Sequence, residues 1–119
     1  MTIELTEQAI FDQVATHLLR QNERAVDSKS LDCMYRTPDG LKCAVGCLIT
    51  DEEYRPDMEG KTILLLCELG WLHQRFLDHI DFLCDLQRVH DCYLPNQWRE
   101  DLRDIAGVYE LSPYVLEMT

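Results

Sequence analysis

Along TEQAIFDQVATHLLRQNERA, Ile10, Phe11, Val14, Ala15 and Leu18 recur at spacings of three and four, opposite Asp12, Gln13, Thr16 and Arg20. The spacing predicts an amphipathic helix from about Thr6 to Glu23. Thr6 suits its N-cap, and Glu7 sits at the positive end of the helix dipole. His17 borders the apolar face and reads as a hydrogen-bonded boundary residue rather than a ligand.

The period then changes. After a polar loop, QNERAVDSKSLD, the segments CMYR and LKCAV alternate in period two on either side of TPDG. Pro38 presets φ for a turn, Asp39 can bond its own backbone and Gly40 accepts positive φ. A β-hairpin is predicted, with Cys33 and Tyr35 on one face and Leu41, Cys43 and Val45 on one face of the returning strand. Gly46 lets the chain leave it, and Thr50 with Glu53 forms a capping box opening a short helical turn. RPDMEGKT reads as a loop.

From Thr62, the run ILLLCEL shows no alternation and stops at Gly70, a plausible αL cap, so a helix buried on most sides is expected. WLHQRFLDHIDFLCDLQRVHDCY, closed by Pro95, predicts the longest helix. On one continuous wheel its core side holds Leu72, His73, Phe76, Leu77, Ile80, Leu83, Cys84 and Gln87, and its solvated stripe Gln74, Asp78, Asp81, Asp85 and Arg88. Phe82 and Val89, seven apart, fall on a flank beside Arg75 that is either covered by another part of the domain or open as a contact patch for a partner. Asn96 is a suitable N-cap for QWREDLRDIAGVY, whose apolar face is Trp98, Leu102, Ile105, Ala106 and Tyr109. Ser112 and Pro113 open a last short turn.

At 119 residues with no linker or repeat, one domain spanning 1–119 is expected. No apolar run is long enough for a membrane span, and the N-terminus carries Glu4, Glu7 and Asp12 and no basic residue before Arg20, against a secretory signal. A cytoplasmic location follows as an expectation. There the six cysteines are free thiols, buried small hydrophobes by default. Eleven basic against 22 acidic residues gives a net charge of −11, with the acids spread along the chain. That excludes a basic stripe for direct nucleic-acid binding and favours solubility, association with basic proteins, or imitation of the charge field of nucleic acid toward a protein that binds it. A helix-turn-helix over residues 98–119 fails on the same ground, with two basic against five acidic side chains there.

Three chemistries compete. Zinc needs about four ligands; Cys33, Cys43 and Cys47 supply three at a loose spacing, the fourth having to come from His73, His79, His90 or Cys92. A small cysteine-dependent enzyme needs a thiolate beside an oriented histidine. His90-Asp91-Cys92 holds the residue types, yet neighbours on a helix point apart. Protein binding needs an exposed patch, and the long helix offers Arg75, Asp78, Asp81, Phe82, Asp85 and Val89. No cofactor is called for, and a homodimer stays open.

The stretch CMYRTPDGLKCAVGCLITDEEY, followed by MEG at 58–60, resembles a group of small uncharacterised proteins of bacteriophages and prophages that share a CxYRxPDGxKCAVGCLI-type segment. The likeness covers roughly residues 31 to 60 and extends more loosely to QNERA and to LQRVHD at 86–91, with Thr50 where such sequences often carry proline. It brings no catalytic residues. It implies a viral accessory role, of which inhibition of a host nucleic-acid-binding defence complex, anti-CRISPR or anti-restriction in type, suits an acidic chain best. The fold expected is α+β and α-dominated, with helices packed around one small β-hairpin.

Overall fold

A computed structural model describes residues 5–119; Glu4, part of the acidic N-terminus, lies outside them. The elements in order are α1 (Glu7–Gln21), a 3₁₀ turn (Pro56–Met58), α2 (Ile63–Glu68), a 3₁₀ segment (Gln74–His79), α3 (Ile80–Cys92), a 3₁₀ turn (Pro95–Gln97), α4 (Trp98–Val108) and a closing 3₁₀ turn (Tyr114–Glu117). The α+β expectation is corrected: among the described residues there is no strand, only two isolated bridges, Val26 with Cys33 and Arg36 with Lys42.

The TPDG turn forms, with Gly40 at φ +97° and the Gly40 N–H donating to Thr37 O at 3.1 Å. The strands beside it do not propagate, because their donors go elsewhere. Thr37 N still donates to Leu41 O and Cys43 N to Tyr35 O, but the Tyr35 N–H that would complete the next pair donates to Glu59 Oε1 at 2.9 Å, and the outward-facing Arg36 N–H donates to Glu59 Oε2 at 3.1 Å. Cys43, Ala44, Val45 and Gly46 are all buried in succession, so no alternating face exists, and the backbone coils: Cys47 N donates to Cys43 O and Ile49 N to Val45 O. Gly46 is required there, since a Cβ would lie 1.9 Å from Tyr35 O.

α1 follows its pattern. The Thr6 hydroxyl accepts from Ala9 N, and Ile10, Phe11, Val14, Ala15 and Leu18 are buried. It packs on α3, α4 and the closing turn, while α2 packs on α3 and α3 on α4. The core is centred on Phe11, Phe76, Phe82 and Trp98. The Thr50–Glu53 capping box closes reciprocally, Glu53 Oε1 accepting from Thr50 N at 2.8 Å and Thr50 Oγ1 from Glu53 N at 3.2 Å, but it caps a turn. Two more expectations change. α2 buries only Ile63 and Leu66 and leaves Leu64 and Leu65 exposed, as is its C-cap Leu69. Asn96 does not cap α4, which is entered through the 3₁₀ turn and Gln97.

The helix expected over 71–93 is broken. His73 Nδ1 accepts from Arg75 N at 3.0 Å and starts a 3₁₀ segment, and α3 begins only at Ile80. A 3₁₀ helix turns about 120° per residue against about 100° in an α-helix, so six residues rotate everything beyond them by roughly 120°. The wheel phased on Leu72 and Phe76 therefore does not carry through. Leu77 is exposed, and Phe82 and Val89, at 1% and 3% exposure, enter the core.

Candidate functional site

Three reactive groups meet where the first loop crosses the end of α3: Cys33 Sγ, a His90 ring nitrogen and an Asp91 oxygen lie within 4.8 Å of one another. Sequence reasoning looked along the chain at His90-Asp91-Cys92 and missed that Cys33 arrives from outside. Arg24 donates to the terminal carbonyls of α3, to His90 O at 3.3 Å and Asp91 O at 2.6 Å, and to Cys33 Sγ at 3.3 Å.

Hydrogen bonding decides what this cluster can do. The backbone N–H of Ala25 donates to His90 Nε2 at 2.9 Å, and an amide is only ever a donor, so Nε2 carries the lone pair. The ring proton is then on Nδ1 and is given to Asp91 Oδ1 at 2.7 Å. A metal on Nδ1 would force a proton onto Nε2, against the Ala25 N–H; a general base facing Cys33 would need a free nitrogen. Neither is available. Burial, followed by the Asp91 charge, pushes the Cys33 thiol up, outweighing Arg24, so the sulfur stays protonated at neutral pH. The cluster is a lock joining the first loop to α3, with His90 fully buried and stacked on Trp98 at 5.7 Å.

The other cysteines considered for zinc do not join it. Cys43 is buried and its Sγ accepts from Gly46 N at 3.2 Å, while the Cys47 thiol donates to Ala44 O at 3.0 Å. Burial raises both thiols, Cys47 to about 12. The broad depression of about 850 Å³ beside the lock is lined by Glu59, Lys61, Cys84 and Arg88 among others. Its polar groups are largely spent: Glu59 accepts from Tyr35 N, Arg36 N and the Tyr54 hydroxyl, and the Lys61 ammonium donates to Asp57 O.

The surface expected for a partner is only partly present. Arg75 is held in a two-bond ion pair with Glu53, at 2.6 and 2.7 Å, and does not project freely. Phe82 and Val89 are core residues, so the apolar contact expected of them is corrected. Asp78 and Asp81 are exposed. Asp85 accepts from the Tyr109 hydroxyl and lies 3.7 Å from Arg88.

Asp85 leads into a cleft of about 250 Å³ between α3 and α4. Val89, Ile105 and Val108 line it as apolar wall, Tyr93 and Tyr109 as aromatic wall, and Asp101 and Asp104 as a second pair of acids. Val108 is 77% exposed, and Tyr93 and Leu94 are also exposed. One oxygen of Asp101, Oδ2, is occluded without a hydrogen-bond partner, although the residue as a whole keeps some exposure. Desolvation, with Asp104 and Glu100 nearby, raises its carboxyl above the ordinary aspartate value. A second depression, with Glu7, Asp78 and Asp81 on its rim, shares Tyr109. Sequence reasoning missed this cleft; the available signal was Val108, an apolar residue off the buried stripe of Trp98, Leu102 and Ala106. No family model, curated protein or solved structure matches the chain. Among the described residues no helix is long and apolar enough to cross a membrane.

Proposed function

We propose that this chain is a small acidic accessory protein of the phage type that acts by binding a protein partner with a basic surface, and that its targets are host nucleic-acid-binding defence complexes. The observation that carries the reading is the cleft between α3 and α4, where exposed Tyr93 and Val108 stand with Asp85, Asp101 and exposed Asp104, while exposed Asp78 and Asp81 extend the acidic surface around the neighbouring depression. Apolar contact area inside a charged rim is the anatomy of a binding surface. A net charge of −11 repels nucleic acid and attracts the proteins that bind it. The cytoplasmic location expected from the sequence fits such targets.

The test uses purified CRISPR effector and restriction complexes, each with and without its nucleic acid. The chain is expected to bind the empty complex, to compete with DNA or RNA, and to bind less tightly as salt rises. Binding that ignores salt, or that leaves nucleic-acid occupancy unchanged across the panel, overturns the reading.

A further inference from the structure

We propose that the cleft between α3 and α4 is a seat for a single arginine side chain of the partner, its stem against Ile105 and Val108 and its guanidinium on Asp101 and Asp104. The proposal rests on the partner-binding reading above and adds the ligand group and its place.

Size, charge and wall chemistry converge on this occupant. Whole small molecules usually occupy ~300–1,000 Å³; at about 250 Å³ the cleft suits one long side chain better than a metabolite. Three carboxylates line it against one cation, Arg88. Arg88 sits on the α3 side, 3.7 Å from Asp85 and with its side chain 63% exposed, and the Tyr109 hydroxyl also serves Asp85. The α4 acids are left over: no ion pair among the described residues reaches Asp101 or Asp104. They stand three apart on α4 and so share a face, where a planar fork can meet both. Tyr93 and Tyr109 add aromatic faces, on which guanidinium stacks better than ammonium.

The experiment titrates the ¹⁵N-labelled full chain with n-butylguanidinium and follows amide shifts. Free guanidinium, n-butylammonium and n-butanol serve as comparators for charge alone, a point charge and the apolar stem alone. Saturable shifts gathered on Val89, Ile105 and Val108 are expected for n-butylguanidinium, with weaker responses to all three comparators. Asp101→Asn should weaken that binding roughly tenfold, the scale of one charged hydrogen bond, while melting no lower than the parent. Val108→Ser, at an exposed position, should weaken n-butylguanidinium and leave free guanidinium unchanged. Shifts scattered over the acidic surface without saturation, or binding unaffected by both variants, overturn the pocket. If the fragment seats in the cleft but no defence complex binds, the functional reading falls and the pocket stands. If a complex binds both variants as tightly as the parent, the pocket falls and the functional reading stands.

Discussion

The backbone N–H of Ala25 donates to Nε2 of the fully buried His90 at 2.9 Å, and this one bond fixes the tautomer of the ring. It turns a Cys-His-Asp cluster that looks chemical into a structural tie between the first loop and the end of α3. His90→Ala removes the ring from against Trp98 and leaves the Ala25 donor unpaired. A loss of about 3 kcal/mol is expected from cavity and orphaned hydrogen bond together, measured by urea unfolding. Ring ¹⁵N shifts of the parent should report the Nδ1–H tautomer; an Nε2–H ring would reopen metal binding and catalysis.

Gly46 carries a sharper steric demand. With a Cβ 1.9 Å from the Tyr35 carbonyl oxygen, Gly46→Ala cannot be accommodated by a side-chain shift, because the obstacle is backbone. A destabilisation of about 3 kcal/mol or more is expected, in the range of severe overpacking. A variant that melts with the parent would show that the 43–48 coil is not as described.

The Arg75–Glu53 pair makes stability depend on acid. The Arg75 hydrogen bonds, helped by the Thr50 N–H, hold the Glu53 carboxyl at about 2, below its ordinary 4.5. The folded value lies below the unfolded one, so this contribution is present above pH 4.5 and is lost as pH falls toward 2. After solvent screening it is on the order of 1 kcal/mol. Glu53→Gln should cost that amount at pH 7 and nothing near pH 2, and a pH-independent difference would defeat the assignment.

Asp101 has the opposite sign. Its folded value is raised, so its favourable contribution is present below the ordinary aspartate value and is lost as pH rises through the folded one. Asp101→Asn should therefore gain stability relative to the parent between acid and neutral pH. Melting curves at pH 3 and pH 7 check this, and a variant less stable at pH 7 would mean the occluded oxygen has a donor.

Phe82 is expected to behave as core. It packs edge-on against Tyr109 with ring centroids 4.6 Å apart. Phe82→Ala should cost about 3 to 5 kcal/mol, with no selective effect on partner dissociation once folding is restored by cooling. Asp104→Lys, exposed on α4, should instead slow association and leave the melting point within a few degrees.

Local chemistry was legible in the sequence wherever a few adjacent residues decide the outcome. The amphipathic face of α1, the Thr6 cap, the positive φ of Gly40, the Thr50–Glu53 box and the buried stripe of α4 depend on side chains within a turn or two, and one chain carries that information. Charge was legible for the same reason. Tertiary structure alone decided three things. It sent the Tyr35 and Arg36 donors to the Glu59 carboxylate, 24 and 23 residues away, so a segment with hairpin patterning coiled instead of pairing. It placed six residues of 3₁₀ helix before α3, a rotation about the axis that a wheel drawn at a constant ~100° per residue cannot register, and so turned Phe82 and Val89 inward. It brought Cys33 and Ala25 to His90, and Asp85 of α3 opposite Asp101 and Asp104 of α4. Those juxtapositions come from how the elements pack, and the tautomer of His90 and the cleft between α3 and α4 exist only once that packing is complete.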